Sequence, residues 1–266
     1  MSSVSFIGSG NVASHYGKEL FAAGCVIDTV LSRRLASAKT LASKIGAKAT
    51  TSFKKIKSDS DFYILAVPDA MITELAHNLS TTIAKESFVI HTSGATDISA
   101  ISDLFPNAAF AWPPQSISIK KDIDFTKVPI CIGASNKTTE KKVLTLFSKI
   151  TMITHRINDE QKLALHLAAV FANNFSNHMF QLAYEICEEH KLDFKLLYPI
   201  LLETSNKVIG QEPKQVQTGP AIRQDLNTMN KHLSLLSNDK AKKKIYTLLS
   251  DSIKKTTYEN SWRHPT

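Results

Sequence analysis

The residues best placed to do chemistry begin near the start of the chain, in the segment "VSFIGSGNVASHYGKEL" at positions 4–20. An apolar run there breaks at Gly8 and Gly10 and continues into a helix-like pattern, with Ala13 completing the spacing G-x-G-x-x-A. The first glycine permits a tight turn, the second leaves room for a pyrophosphate, and the alanine lets helix and strand pack closely. Tight turns also use glycine pairs, but this pair directly follows the first apolar strand. Because free N–H groups at a helix start attract phosphate, we expect a dinucleotide at Gly8, Ser9, Gly10, Asn11 and Val12.

The end of the second apolar run indicates which dinucleotide is bound. A site for NAD usually has Asp or Glu there to bind the ribose hydroxyls, whereas this run ends "VLSRR" with Ser32, Arg33 and Arg34. Asp28 lies too early in the strand to replace the missing acid. Since guanidinium and hydroxyl groups bind a 2′-phosphate that a carboxylate would repel, the pattern favours NADP(H). The alternative is that the arginines only begin an exposed helix.

Three later strand ends should meet the same edge of the sheet. In "LAVPDAMI" we expect Ala66, Val67 and Pro68 to border the cofactor, since ligands bind beyond the carboxyl ends of parallel strands. The segment "HTSG" follows the next strand. Its polar groups either face nicotinamide or substrate or only cap a turn; they are His91, Thr92 and Ser93. "WPPQSIS" should form a rigid wall near the cleft, with Gln115 and Ser116 as donors to substrate.

A polar stripe runs along a long, glycine-free and proline-free segment in the second half. At about 100° per residue its members fall on one side of a helix; they are Lys162, His166, Asn173 and Asn177. If the stripe faces the cleft, the amides would hold a carbonyl or carboxylate, and Lys162 or His166 would exchange the proton that accompanies hydride transfer. His91 is the third candidate for that proton. The alternative is a polar helix–helix contact or a solvated stripe.

The second half of the sequence also contains two typical helix starts and two further polar residues that are candidates for binding substrate. Asn158 and Asp193 are typical N-cap residues, and Pro199 should kink or divide the helix after Asp193. Arg223 and Asp225 precede a polar helix, where they either bind an anionic substrate as a clamp or pair with each other.

Alternating apolar and amphipathic stretches organise the first half. Strands are predicted at 4–7, 26–31, 62–67, 88–91, 108–112 and 129–132, and helices between them at 12–23, 35–45, 70–79, 98–104 and 139–150. This order is typical of an α/β fold, a doubly wound and mostly parallel Rossmann sheet, followed by an all-α C-terminal domain. The predicted domains are a dinucleotide-binding domain at 1–156 and a helical substrate and dimerisation domain at 157–266.

Composition excludes several classes of protein. The chain has 266 residues, 43% of them hydrophobic, with three scattered cysteines that we interpret as buried reduced thiols. The net charge of +8 comes from dispersed lysines, so we expect no nucleic-acid partner. No apolar stretch is long enough for a membrane span, no signal peptide is visible, and the nine histidines show no paired metal-ligand spacing. We expect a cytoplasmic protein that binds no membrane and no metal.

The motifs "FIGSGNVA", "SRR", "LAVPD", "HTSG", "LALHLAAVFANNFSNHMF" and "QTGPAIRQDLNTMNKHL" together resemble one family. It comprises Rossmann-like proteins with a helical C-terminal domain of unknown function, described as NADP-dependent oxidoreductases. The chain is more distantly similar to pyrroline-5-carboxylate reductase, deazaflavin-dependent NADP reductases and β-hydroxyacid dehydrogenases. In the last group a lysine and an asparagine on the first long helix do the chemistry. Here "NN" at Asn173 and Asn174 matches the asparagine, but Ala169 stands where the lysine would be, and His166 is the nearest alternative.

The sequence therefore predicts an NADP(H)-dependent oxidoreductase that transfers hydride to or from a small carbonyl, imine or hydroxy-acid compound in a cleft between the domains. The resemblance further implies a homodimer formed through the helical domains. The alternative is a non-catalytic NADP(H)-binding sensor or dimeric regulatory protein, which would share the glycine turn and the arginines but would not need the stripe.

Overall fold

The computed structural model describes residues 1–120 and 123–258. The chain forms two compact units, Met1–Asn174 and Phe175–Thr266. The division falls within the long helical segment, later than the boundary predicted after residue 156. The assignment of 1–156 and 157–266 as functional domains stays a prediction.

Eight strands of the described residues form one sheet in the first unit. In chain order they are β1 Ser3–Ile7, β2 Val26–Leu31, β3 Lys48–Thr50, β4 Phe62–Leu65, β5 Phe88–His91, β6 Ala108–Trp112, β7 Ile130–Ala134 and β8 Thr154–Arg156. The order across the sheet is β3-β2-β1-β4-β5-β6-β7-β8, and neighbours are parallel except for the antiparallel pair β6–β7. This is the predicted Rossmann arrangement, with its strand order reversing between β1 and β4.

Helices cover both faces of the sheet, which explains why its longer strands are mostly apolar. The helices of this unit are α1 Asn11–Ala22, α2 Leu35–Ala42, α3 Ile72–Ser80, α4 Ser99–Ser102, α5 Lys137–Phe147 and α6 Asp159–Ala169. Strand β1 shows the two faces: Val4 and Phe6 join the core under α1, α2 and α5, whereas Ile7 joins the core under α3 and α4. Each large apolar side chain buried in this way contributes roughly 1.5–3 kcal/mol. The two cores hold the carboxyl ends of β1, β2, β4 and β5 at one edge.

The predicted long helix is present but changes its winding. It begins at a capping box, in which the Asn158 side chain accepts from the Gln161 N–H at 2.8 Å and Gln161 Oε1 accepts from the Asn158 N–H at 3.0 Å. After α6 the chain forms a π-helix at Val170–Phe175 and then continues as α7, Ser176–Glu189. π-helical turns of this kind occur frequently at functional sites.

The second unit is helical in its described part. Besides α7 it contains α8 Tyr198–Gly210, α9 Leu226–Leu235 and α10 Lys240–Tyr258. Asp193 caps a 3-10 helix, Phe194–Leu197, as its side chain accepts from the Lys195 N–H at 2.9 Å. Pro199 was predicted to kink or divide a helix. The helical stretch does divide there: the 3-10 helix ends at Leu197, α8 begins at Tyr198, and Pro199 stands in the first turn of α8, where its missing N–H costs no hydrogen bond.

Few apolar side chains of the second unit are buried. Among its described residues they are Cys187, Ala221 and Met229, whereas Leu196, Ile209 and Leu248 are 73%, 83% and 68% exposed. A polar cluster joins α10 to α7, because Lys242 Nζ lies 3.1 Å from a Glu185 carboxylate oxygen and 2.9 Å from one of Glu189. None of the helices in the described residues is both long and apolar enough to cross a lipid bilayer.

Candidate functional site

A cavity of about 580 Å³ lies at the carboxyl ends of β1, β2, β4 and β5. It includes the point where the strand order reverses, which is the usual ligand site of an open α/β sheet. All thirteen residues predicted to bind the cofactor line it, namely Gly8, Ser9, Gly10, Asn11, Val12, Ser32, Arg33, Arg34, Ala66, Val67, Pro68, Thr92 and Ser93. The structure thus brings four separate sequence motifs together in one place.

The first glycine of the turn is required by the backbone. Gly8 has φ +115°, a conformation that residues with a side chain rarely adopt, and its N–H donates to the Leu31 carbonyl at 2.8 Å. An added Cβ would collide with the Ala66 carbonyl oxygen and lie 2.8 Å from its carbon. Gly8 therefore lets β1, β2 and β4 meet closely at the base of the cavity.

The second glycine of the turn leaves open space beside the backbone, where a side chain would otherwise stand. An added Cβ on Gly10 would meet nothing within 4 Å, and Gly10 lines the cavity. Gly10 is also the N-cap of α1; within the described residues no side-chain hydrogen bond caps this helix, and its first turn contains no acidic residue. The N–H groups of the first turn and the positive end of the helix dipole are therefore available to an anion such as a pyrophosphate.

The side chains of α1 hold a neighbouring segment against the turn. The Asn11 side chain donates to the Ile117 carbonyl at 2.9 Å and accepts from the Ile119 N–H at 3.4 Å. One turn later His15 Nε2 lies 3.1 Å from the Ser118 carbonyl. Since the Asn11 side chain is occupied in this way, its backbone N–H is the group it offers to a ligand.

The end of β2 presents cations where an NAD site presents an acid. Arg33 and Arg34 are exposed and line the cavity, and the Ser9 hydroxyl donates to Ser32 Oγ at 2.9 Å. Arg34 is also the N-cap of α2, so both interpretations of the arginines are compatible with their place in the fold. Asp28 is bound elsewhere, 3.1 Å from Lys57 Nζ, as expected from its early position in β2.

The residues after β5 divide between cavity and core. Thr92, Ser93 and Gly94 line the cavity, whereas the side chain of His91 is fully buried and does not line it. The Ser93 N–H donates to His91 Nδ1 at 3.3 Å. Burial, and then the positive charge of Lys162, lower the pKa of His91 to about 3, so its imidazole is neutral at physiological pH. The structure does not place His91 among the groups that would touch a ligand.

Lys162 is buried as well, although it belongs to the predicted stripe. Its Nζ donates to the Thr96 carbonyl and to Asp159 Oδ1 at 2.7 Å, and it lies 3.9 Å from the centre of the Phe110 ring. Burial lowers the pKa of Lys162, and Asp159 acts in the opposite direction. Asp159 also accepts from the Ile98 N–H at 3.1 Å, so the Lys162–Asp159 pair fixes the loop after β5 to α6.

His166, one turn after Lys162, reaches the cavity. Its ring lies edge-on to Trp112, with 5.7 Å between ring centres, and an added Cβ on Gly94 would lie 2.7 Å from His166 Cδ2. His166 and Trp112 also line a second cavity of about 350 Å³. The polar side chains there are Gln115, Ser116, His166, Asn173 and Asn174, and we call this space the amide cavity. His166 is therefore the titratable group shared by the two cavities.

The comparisons with known proteins agree with this geometry. Residues 3–94 match the family described as NADP oxidoreductase coenzyme F420-dependent, and residues 128–253 match the domain of unknown function DUF2520. The crystal structure named "putative NADP oxidoreductase BF3122", from Bacteroides fragilis, is 34% identical over 96% of this chain and 98% of that chain, with a TM-score of 0.86. The chain belongs to the family of Rossmann proteins with a C-terminal DUF2520 domain. The predicted resemblance is confirmed.

Other similar structures support the fold of the DUF2520 family member. TM1727 from Thermotoga maritima is 20% identical over 98% of this chain and all of that chain, with a TM-score of 0.76. A pyrroline-5-carboxylate reductase from Coxiella burnetii is 15% identical over 97% of this chain and 98% of that chain, with a TM-score of 0.56. No curated protein matches the sequence.

Three predicted site residues of this DUF2520 protein lie in the second unit. Asn177 is exposed on α7, and Arg223 is exposed before α9. Asp225 is the N-cap of α9: its carboxylate accepts from the N–H and the hydroxyl of Thr228, at 3.0 and 2.7 Å, and these bonds lower its pKa. The ion pairs of the described residues do not include one between Arg223 and Asp225, so a substrate clamp stays a prediction and Asp225 already has a structural role.

Several lining residues were not predicted. Ser37, Asp69, Met71 and Leu75 contribute to the cavity of 580 Å³. Asp69 directly follows Pro68, Met71 stands two positions after Asp69, and Ser37 lies in the first turn of the helix after the arginines. Extending the rule on strand ends by a few residues would have found Asp69 and Met71.

Proposed function

We propose that this DUF2520 family member is an NADP(H)-dependent oxidoreductase that transfers hydride to or from a small carbonyl, imine or hydroxy-acid compound. One observation carries the proposal: a single cavity joins the open glycine turn, the arginines after β2 and His166. The match of residues 3–94 to the family of F420-dependent NADP oxidoreductases, and the name of the similar Bacteroides protein, support an oxidoreductase.

The residues present fit such a cofactor. The open space at Gly10 and the first-turn N–H groups of α1 suit a pyrophosphate. Ser32, Arg33 and Arg34 suit a 2′-phosphate, because guanidinium groups form charge-assisted hydrogen bonds with phosphate oxygens. When bound, the nicotinamide supplies or accepts the hydride.

The side chains of the amide cavity then bind the substrate and exchange the proton that accompanies hydride transfer. In the direction of reduction the substrate carbon takes up hydride, and its oxygen or nitrogen takes up a proton. The imidazole of His166 gives that proton from a ring nitrogen and recovers it from solvent, and in oxidation it accepts the proton. The Asn173 amide donates to the carbonyl oxygen and holds it in place. Trp112 and Pro113 line the same space and exclude water from part of it.

A substitution at His166 tests this assignment. We expect His166→Gln to lower kcat for NADPH oxidation by roughly 10²–10⁴, because glutamine cannot exchange the proton. The Kd for NADPH should change less than threefold, as the glycine turn and the arginines are untouched. The measurements are turnover over a panel of small ketones, imines and keto acids, and a fluorescence titration with NADPH.

His77→Gln is the matched control for the His166 variant, since His77 is exposed on α3 and does not line either cavity. It should behave as the wild type does. Unchanged turnover in His166→Gln would remove His166 from the reaction.

A non-catalytic NADP(H)-binding sensor or regulatory protein is the second candidate. It would use the same glycine turn and arginines, and it would bind NADPH with no turnover over the whole panel. The polar side chains at the amide cavity favour the enzyme, because a protein that only senses NADPH has no need for them.

We also propose that the chain is a homodimer formed through its helical unit. In the described part of this unit three apolar side chains are buried, whereas several leucines and isoleucines are exposed. These exposed side chains form an apolar surface that a second copy of the chain would cover. Light scattering at micromolar concentration should give twice the 29.4 kDa of one chain. A mass of one chain would refute the dimer.

A further inference from the structure

The side chains around the amide cavity share one chemical property. Its polar members are amides, a hydroxyl and an imidazole, the Trp112 indole adds an N–H donor, and its remaining members are prolines, alanines and a valine. None of the described residues that line it is a lysine, an arginine, an aspartate or a glutamate. The cavity is therefore built to form hydrogen bonds without a fixed charge.

The cations that line the neighbouring cavity, or lie buried behind it, have other roles. Lys162 is buried behind the loop after β5, where its Nζ is held by Asp159 and the Thr96 carbonyl. Arg33 and Arg34 line the other cavity, at the end of β2, where the proposed function assigns them to the cofactor. The charged side chain that lines this other cavity at the β4 end is a carboxylate, that of Asp69.

A substrate carboxylate would find hydrogen-bond donors in such surroundings but no permanently charged partner. Proteins that bind carboxylates commonly use the bidentate fork of arginine or the charge of lysine, and placing an ion among neutral groups costs free energy unless it is paired. Amides suit a neutral ligand better, because the side chains of Asn173, Asn174 and Gln115 each have both a donor and an acceptor. Each hydrogen bond to a neutral ligand contributes about 0.5–1.5 kcal/mol.

We infer that the amide cavity selects uncharged carbonyl or imine compounds and discriminates against substrates that carry a carboxylate. The inference rests on the proposed function and narrows it, since it removes hydroxy acids and keto acids from the proposed substrates. The volume of about 350 Å³ limits the bound part of the substrate to a small molecule. In the reduction, the carbonyl becomes an alcohol or the imine an amine, with hydride from NADPH and the proton from His166.

Pairs of ligands with the same carbon skeleton, one neutral and one anionic, test the inference. Suitable pairs are 4-oxopentanamide with 4-oxopentanoate, and 2-oxopropanamide with 2-oxopropanoate. Binding is measured by saturation-transfer NMR on the full-length protein with NADP+, and turnover by NADPH oxidation. We expect the amide of each pair to bind at least about tenfold more tightly than the acid, because the carboxylate has no charged partner in the cavity.

Two variants that add a cation test whether the substrate binds in the amide cavity. Asn173→Lys and Gln115→Lys should each shift the acid-to-amide ratio of affinities towards the acid by about tenfold, because an ammonium group then faces the ligand. Both residues are exposed, so either variant should fold. Asn78→Lys adds the same charge on the exposed face of α3 and should leave the ratio unchanged.

The outcomes separate this inference from the proposed function. Failure of the wild type to bind NADPH would refute the proposed function itself. If NADPH binds normally, tighter binding of the acids or binding of neither member of any pair would refute the uncharged substrate class. An unchanged ratio in both cationic variants would refute the amide cavity as its location.

Discussion

Gly8→Ala is expected to destabilise the protein by about 3 kcal/mol or more and to abolish NADPH binding. A side chain at φ +115° is strained by roughly 1–3 kcal/mol, and its Cβ would collide with the Ala66 carbonyl, which is backbone and cannot rotate away. The collision would push β4 from β1 at the base of the cavity, so the turn could not keep its shape. Urea unfolding, with the midpoint and slope compared with those of the wild type, measures the loss of stability.

Gly10→Ala is the matched control, because the same methyl group meets nothing within 4 Å and the residue has φ −78°, which alanine adopts readily. We expect its free energy of unfolding to stay within about 1 kcal/mol of the wild type. Its Kd for NADPH should rise at least about tenfold, since the methyl group occupies space assigned to the pyrophosphate. If Gly10→Ala binds NADPH as the wild type does, the glycine turn is not the phosphate site.

The sheet could be predicted because its long strands are covered on both faces and are therefore mostly apolar. Val26–Leu31, Phe88–His91 and Ala108–Trp112 are predicted with the bounds that the structure shows. The two strands missed in the prediction, β3 at Lys48–Thr50 and β8 at Thr154–Arg156, have three residues each and little apolar character. Their conformation depends on pairing with β2 and β7, which a local sequence pattern does not contain.

Predicting the cavity succeeded for a topological reason. Once four strands are known to be parallel, their carboxyl ends must meet at one edge, so thirteen residues from separate motifs could be assigned to it without knowing any contact. Individual side chains were harder to place. His91 is the last residue of β5, and its side chain is buried in the core, whereas Thr92 and Ser93 just beyond it line the cavity.

The polar stripe shows the limit of predicting from a helical wheel which side chains line a cavity. The wheel assumes 100° per residue throughout, but the winding changes in the π-helix at Val170–Phe175. Of the four predicted members, His166 and Asn173 line the amide cavity, Lys162 is buried and Asn177 is exposed on α7. Burial of Lys162 depends on a carbonyl at Thr96, far away in the sequence, and therefore could not be read from the helix alone.

Replacing both arginines after β2, in the double variant Arg33→Ala/Arg34→Ala, is expected to raise the Kd for NADPH by about 10–100-fold and to leave the Kd for NADH within twofold. Each charge-assisted hydrogen bond to the 2′-phosphate is worth roughly 1 kcal/mol at these exposed positions, and NADH has no phosphate there to lose them. Lys54→Ala/Lys55→Ala removes the same charge from an exposed 3-10 helix that does not line the cavity, and should change neither affinity. Titrating all three proteins with both nucleotides at two salt concentrations separates a local contact from the general attraction of a chain with net charge +8. Equal weakening of NADPH and NADH binding in the arginine variant would mean that Arg33 and Arg34 only begin an exposed helix, and the preference for NADP(H) would then lack a structural basis.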